Sequence, residues 1–445
     1  MVFRPGQGSV LETEKASYKL TRKLGAGGFG SVFEADIESI NEEARFVFDA
    51  RGLQEGDTVA IKINSDGKEG LKERNMLRRL ECDECCANAT CLFDSAIYDE
   101  NTTRRVSEDS NVRNIATILV LELLYKSRDL GSVVETLQSL RQSPATTVIK
   151  SAYVRKTINA IAIIRRNGIY HRDIKPENFV CGEPRDSSFD FKRLERVWFD
   201  NVAERLDPIP NDAMARPQKR GPETNLQRLV YLQSISQSID DAAETEFVHT
   251  YVLFEDLFDV KAVDFGLSID TERIEELEAI DSRLVLEQSG TVPFMDPWMV
   301  YSITESSQET SALDVYKNAS LTDTNTVFAL IDNWALGMTL CELVYGDLPY
   351  YDTERAFSTV DPMLDNSTFK SISLPPTSWG FILGLNNLVS SNPDRMGQVV
   401  ITQQTSTDED NALAQTFQPL LEINPSKRML DLMVLLDEIQ FRGTI

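Results

Sequence analysis

Histidine is nearly missing from this chain: 445 residues hold two, beside six cysteines and four tryptophans. So few imidazoles leave little to complete a zinc site around the cysteines. Basic residues are also short, 45 Lys and Arg against 70 Asp and Glu, for a net charge of −25. That balance argues against a surface made for nucleic acid or an anionic membrane, and it suits a basic protein substrate. No apolar stretch of about eighteen residues, as a membrane span requires, stands out in the sequence, and Met1 to Glu14 has no run of signal-peptide length. The expectation is a soluble intracellular protein, cytoplasmic or nuclear. Disorder of the whole is excluded by a hydrophobic share of 42% and an aromatic share of 8%.

Four of the six cysteines cluster as Cys82, Cys85, Cys86 and Cys91. One C-x-x-C and a neighbour within ten residues make a poor tetrahedral cage, so free thiols are expected rather than zinc ligands or a disulfide framework. The length fits one bilobal domain with insertions, or two domains.

The chain then separates into strand-rich and helix-rich stretches. Tyr18–Leu24 and Ser31–Ile37 alternate around a glycine turn and predict a hairpin. Thr58–Asn64 and Ile115–Leu123 predict strands, and Lys68–Leu80 a helix. Ser151–Asn167 predicts a helix closed by Gly168, and Asp332–Tyr345 another closed by Gly346. Asp99–Asn111 reads as an exposed loop. Residues 183–258 and 352–418, with scattered prolines and polar runs, read as insertions, partly disordered.

The most informative residues are His171-Arg-Asp-Ile-Lys-Pro-Glu-Asn178. An Asp five residues before an Asn, on a loop leaving a helix, can face an incoming hydroxyl while the amide reaches a metal ion on nucleotide phosphates. A second piece is Gly25-Ala-Gly27-Gly28-Phe-Gly30-Ser-Val32 between two strands, where absent side chains let backbone N–H groups close over phosphates. A dinucleotide-binding turn would open a helix at this point, whereas here a strand follows. The next marker is Lys62 in Val59-Ala60-Ile61-Lys62, which taken alone is a solvated edge charge and after a glycine loop is a phosphate clamp. Glu73 is the candidate counter-charge for Lys62, because Leu77 and Leu80 then share its inward helix face; Glu69 is the alternative.

Together these segments resemble the eukaryotic-type protein kinase family, serine/threonine class, over about Tyr18 to Gln440. The resemblance implies an α+β, bilobal fold, with a small β-rich N-lobe over 18–122 and a mostly helical C-lobe over 123–440 after an N-terminal extension, 1–17. It implies an enzyme that transfers the γ-phosphoryl group of ATP, with Mg2+, to Ser/Thr hydroxyls of a protein substrate. Asp173 is then the base and Lys175 steadies the γ-phosphate, while Asn178 and Asp264, in Asp264-Phe-Gly266, are the metal ligands. Leu119–Leu124 is similar to the hinge, with Leu121 as gatekeeper, Glu122 and Leu124 offering backbone groups to adenine, and Val32, Ala60 and Val180 as apolar walls. The catalytic loop is worded most like the casein kinase type, without fixing a subfamily.

In the implied activation segment, Asp264 to about Pro297, Thr291 is placed to touch Asp173 and Lys175. Arg172 is placed to pair a phosphate there, on Ser282 or Ser289, unless Glu272, Glu275, Glu276, Glu278 and Asp281 supply permanent charge. Asp332 resembles the buried aspartate that ties down the catalytic loop, or else caps its helix. One departure stands out: Trp298 occupies the position of a glutamate that pairs with a late arginine, here Arg428. Either another acid serves Arg428, or packing holds that end of the segment. Two further readings remain open: a scaffold without catalysis, and a small-molecule phosphotransferase of related fold.

Overall fold

The structure is a computed structural model that describes residues 5–27, 30–100, 104–107, 115–140, 144–183, 224, 226–227, 233, 258–280, 290–296, 299, 321, 323–346, 348, 407–422 and 425–442. Helix and strand are mixed, and the chain divides into two compact units. The first holds residues 1–123, 166–169 and 262–270; the second holds the rest.

Seven strands make the sheet of the first unit: β1 (Val10–Glu12), β2 (Ala16–Gly27), β3 (Gly30–Ile40), β4 (Thr58–Asn64), β5 (Leu92–Asp99), β6 (Arg104–Val106) and β7 (Ile115–Leu121). Their order is β1-β2-β3-β4-β7-β5-β6. The predicted hairpin is β2–β3, in register from Ala16 opposite Ile40 to Gly27 opposite Gly30. The stretch read as a loop after Asp99 contains β6, an edge strand paired with β5. Strand β4 lies centrally, and its alternation sorts two faces. Val59, Ile61 and Ile63 join a core with Tyr18, Leu20, Phe33, Ala35, Ile118 and Val120, to which the short helix α1 (Arg45–Asp49) adds Phe48. The other face carries Ala60, Lys62 and Asn64, opposite Leu121, Leu119 and Thr117 of β7.

Helix α2 (Gly67–Arg79) covers that second face. Asp66 caps it, its carboxylate accepting the N–H groups of Lys68 and Glu69. Two glycines in its first turns set the depth of docking: a Cβ on Gly67 would sit 2.0 Å from Ile115 Cγ1, and one on Gly70 would sit 2.6 Å from Thr117 Cβ. Any larger residue would lift the helix off the sheet. Helix α3 (Asp83–Asn88) follows at once. It brings a correction to the expectation of free thiols: Cys82 is bridged to Cys85, and Cys86 to Cys91. The helical turn places these residues in bridging range, with Cα atoms 5.1 and 5.2 Å apart, which spacing alone does not reveal. Cys181 and Cys341 are free and buried.

In the second unit, strands β8 (Tyr125–Asp129), β10 (Phe179–Glu183) and β11 (Asp259–Ala262) form a sheet in the order β11-β10-β8, with β9 (Ile169–Tyr170) between the first two in sequence. Helix α4 (Leu130–Gln138) precedes α5 (Pro144–Arg166), which begins a full two turns before the predicted Ser151. The Thr324–Tyr345 helix likewise starts earlier than expected, capped by Asp323 and ended by a left-handed Gly346. By length and composition this helix could cross a membrane, contrary to the expectation that no such stretch exists. Its side chains are nearly all buried, Trp334 and Phe328 completely, so its apolarity belongs to a core.

The end of the presumed 352–418 insertion is also core. Thr407 caps a helix, Asp408–Phe417, through the Asp410 N–H. Asp410 is buried and accepts from Thr147 Oγ1 and Lys150 Nζ on α5, each at 2.6 Å. Residues 349–406, and most of 183–258, lie outside the described residues. Phe258 ends the latter stretch stacked on Tyr153, ring centroids 4.9 Å apart.

Candidate active site

In the first unit, Lys62 is the centre of a buried charge cluster. Its Nζ donates to Glu73 Oε1 and to Asp264 Oδ1, both at 2.7 Å. Glu73 is therefore the counter-charge and Glu69 is not, because the close docking of α2 turns Glu73 inward, leaving it 1% exposed. The remaining Glu73 oxygen accepts Asn64 Nδ2 at 3.0 Å. Burial pulls the Lys62 ammonium down, but the two carboxylates outweigh it and hold its pKa above the ordinary lysine value. Burial pushes the Glu73 carboxyl up; Lys62 opposes that shift and Asp264 adds to it.

Asp264 starts its turn in the left-handed region, φ 64°, an uncommon choice for a non-glycine residue. The Lys62 ammonium thus faces two carboxylates. The less buried acid is Asp264, whose side chain is 30% exposed against 2% for Glu73.

The other sequence-predicted residues of this unit fall on the same sheet. Register puts Val32 opposite Lys62, and Ala60 opposite Leu121. The Glu122 N–H donates to the Cys91 carbonyl at 3.0 Å. A Cβ on Gly25 or Gly27 would meet nothing within 4 Å, so the strand ends that lead into the glycine turn are open. On Gly30 it would meet the Ile63 carbonyl oxygen at 2.1 Å, so a side chain is excluded there. Gly28 lies outside the described residues.

In the second unit, Asp173 is the centre of a hydrogen-bonded cluster. Thr291 Oγ1 donates to its Oδ1 at 2.8 Å, and Lys175 Nζ and Asn178 Nδ2 donate to its Oδ2, each at 2.9 Å. Lys175 also donates to Thr291 Oγ1 at 2.7 Å, which closes a ring of three side chains. Asn178 Nδ2 has a second acceptor in the Asp173 carbonyl at 2.7 Å, so its amide nitrogen is engaged and its orientation is set. Leu124 and Val180 also belong to this unit, the first buried and the second half-buried.

Asp332 supports the loop from below. It does not cap its helix but sits in the middle of Thr324–Tyr345, 2% exposed. Its two carboxylate oxygens accept the N–H groups of His171 and Arg172 at 2.8 and 2.9 Å. Arg172 has φ 66°, and these bonds hold it in that strained conformation. Burial raises the Asp332 carboxyl, with Arg165 the chief opposing charge. The Arg172 guanidinium lies 5.4 Å from the centroid of the Phe328 ring. Gly290, at φ 106°, lets the chain approach the Arg172 carbonyl, which a Cβ would meet at 3.0 Å, and so brings Thr291 to Asp173.

Arg428 has found another acid. Asp296, two residues before Trp298, pairs with Arg428 Nη1, and both side chains are fully buried. Arg428 also donates to the Leu330 and Glu422 carbonyls at 2.7 and 2.9 Å and lies 5.1 Å from the centroid of the Trp334 ring. Sequence reasoning left Asp296 unnamed, although an acid two positions from the vacant one was its only signal. Trp298, Ser282 and Ser289 lie outside the described residues.

No family model matches the chain. It is similar to several serine/threonine protein kinases: 26% identical over 192 residues to "Cyclin-dependent kinase 20" of Danio rerio, covering 42% of this chain and 45% of that protein. It is 27% identical over 177 residues to a probable casein kinase I homolog of Encephalitozoon cuniculi, covering 39% and 43%. With "Glycogen synthase kinase 1" of Pyricularia oryzae it shares 25% identity over 173 residues, 39% and 36% of the two chains. The matches span less than half the length of these curated relatives. They support the protein kinase family in general and distinguish no subfamily.

Proposed function

We propose that this protein is a serine/threonine protein kinase that uses ATP with Mg2+, on a bilobal fold whose first unit is the N-lobe and whose second is the C-lobe. The observation that carries the reading is the Asp173 carboxylate, held by Thr291, Lys175 and Asn178 on a loop fixed from below by Asp332. As the substrate hydroxyl oxygen bonds to the γ-phosphorus and the bond to ADP breaks, Asp173 accepts the hydroxyl proton. Lys175, one bond from that carboxylate, has a cationic head for the developing phosphoryl charge. Lys62, kept protonated by its two acids, neutralises the α- and β-phosphates.

Each unit offers an oxygen ligand that fits a hard divalent cation: in the first, the partly exposed Asp264 carboxylate, and in the second, the oxygen of Asn178, whose amide nitrogen is engaged by Asp173. The metal would supply charge neutralisation on the phosphates. A protein substrate accords with the acidic balance of −25, which favours basic sequences around the acceptor. Arg172, beside the catalytic base, is the residue to which a phosphate on the activation segment would couple activity.

The test is incubation of purified protein with labelled ATP and Mg2+, alone and with a generic basic substrate, followed by phosphopeptide mapping. Label on Ser or Thr is expected, lost in Asp173→Asn and in Lys62→Met. Nucleotide binding without transfer to any substrate would favour the scaffold reading, and absence of nucleotide binding would defeat both.

A further inference from the structure

The four clustered cysteines have no part in phosphoryl transfer, yet their segment touches the supports of the charge cluster in the first unit. Helix α2, which carries Glu73, ends at Leu80, and the next residues run through Cys82, Cys85, Cys86 and Cys91 into β5. Cys86 Sγ lies 3.9 Å from the Leu80 carbonyl oxygen. Ala89 bridges to Ala262, and the Thr90 N–H donates to the Ala262 carbonyl at 3.0 Å, two residues before Asp264. The Cys91 carbonyl accepts the Glu122 N–H at the end of β7. This one short segment therefore touches the end of the Glu73 helix, the strand that delivers Asp264 and the strand beside Lys62.

Each bridge joins a less buried cysteine to a buried one. Cys82 is exposed and Cys85 fully buried; Cys86 is half-buried and Cys91 is 8% exposed. Thiol–disulfide exchange needs access to one sulfur only, and accessible bridges are the labile ones.

We propose that Cys82–Cys85 and Cys86–Cys91 form a redox-modification site whose state sets how firmly Glu73 and Asp264 are held around Lys62. A small dithiol is the reductant class. Its thiolate attacks the accessible sulfur, the S–S bond breaks, and a mixed disulfide forms; its second thiol resolves that intermediate. Per bridge, two cysteine thiols are gained and one cyclic disulfide of the reductant is released. Oxidation by a disulfide of the same class runs the steps backwards. The consequence for ATP use rests on the kinase reading, whereas the site itself does not.

The test uses the full chain purified without reductant, before and after dithiothreitol. Alkylation under denaturing conditions should count two thiols before reduction, Cys181 and Cys341, and six after. Hydrogen exchange on the nucleotide-free protein should become at least tenfold faster after reduction in residues 80–92 and 262–264 and in the last turn of α2, and the Kd for MgATP should rise at least threefold. Six thiols before reduction, one equivalent of zinc held by the four cysteines, or identical exchange in both states would overturn the proposal. Faster exchange with no phosphoryl transfer in either state would uphold the redox site and defeat the kinase reading. Transfer with unchanged exchange would do the reverse.

Discussion

The two clusters of this molecule are built on opposite plans. Around Lys62 three full charges meet from β4, α2 and the turn at Asp264, and nothing local in sequence brings them together. Around Asp173 most partners lie within five residues, Thr291 joins from one segment, and the charges of Asp173 and Lys175 balance. The first cluster depends on how deeply one helix docks. The second depends on a loop conformation imposed from beneath.

The largest effect that would sharpen this contrast is on the reaction itself. Asp173→Asn should lower the transfer rate by about 10² to 10⁴ while MgATP affinity stays within twofold; single-turnover kinetics and calorimetry read the two separately. Next is the floor of the second unit. Asp296→Ala removes the carboxylate partner of the buried Arg428 guanidinium and should destabilise by about 3–5 kcal/mol, seen as a lower denaturant midpoint. The same loss in Arg428→Ala, non-additive in the double variant, would tie the effect to the pair.

In the first unit Glu73→Gln keeps a hydrogen-bond partner for Lys62 but removes one charge. Nucleotide affinity should weaken by about tenfold, roughly 1.4 kcal/mol, with kcat changed less; an equal fall in kcat would erase the distinction drawn between the clusters.

The smallest effect concerns Asp94, buried between Thr13 and Tyr18. Burial raises its pKa above the ordinary aspartate value, with hydrogen bonds and Lys15 opposing. A carboxyl raised on folding lends stability below its unfolded pKa and loses it as pH climbs through the folded one. Asp94→Asn should therefore remove a decline in Tm that the parent shows as pH rises above the ordinary aspartate pKa of about 3.9. Parallel Tm profiles would refute it.

The local elements were legible to a large degree. The β2–β3 hairpin, β4, α2 and β7 follow from alternation and helical spacing, and the wording of their motifs singles out Lys62, Asp173, Asn178 and Asp264, which the fold joins in the pairs Lys62–Asp264 and Asn178–Asp173. Less visible was the helix beginning at Asp408, although Thr407 followed by three acids is a capping signal. The early starts of α5 and the Thr324–Tyr345 helix were missed, although Val148, Ile149 and residues 327–331 are apolar residues ahead of the expected starts. That error made Asp332 look like a cap when it is an interior acid.

What sequence alone determined is therefore the set of short-range patterns: strand faces, helix faces, and the spacing of His171 to Asn178, all of which act over a few residues. Tertiary structure decided the pairings. Glu73 rather than Glu69 reaches Lys62 because Gly67 and Gly70 admit the helix so close to the sheet. Asp296 rather than residue 298 meets Arg428, and Cys82 bridges to Cys85, because folded geometry, not spacing, fixes which side chains share a volume. The physical reason is range: backbone preferences are set by neighbours in the chain, whereas buried charges and thiols are matched by what the fold brings within a few ångströms.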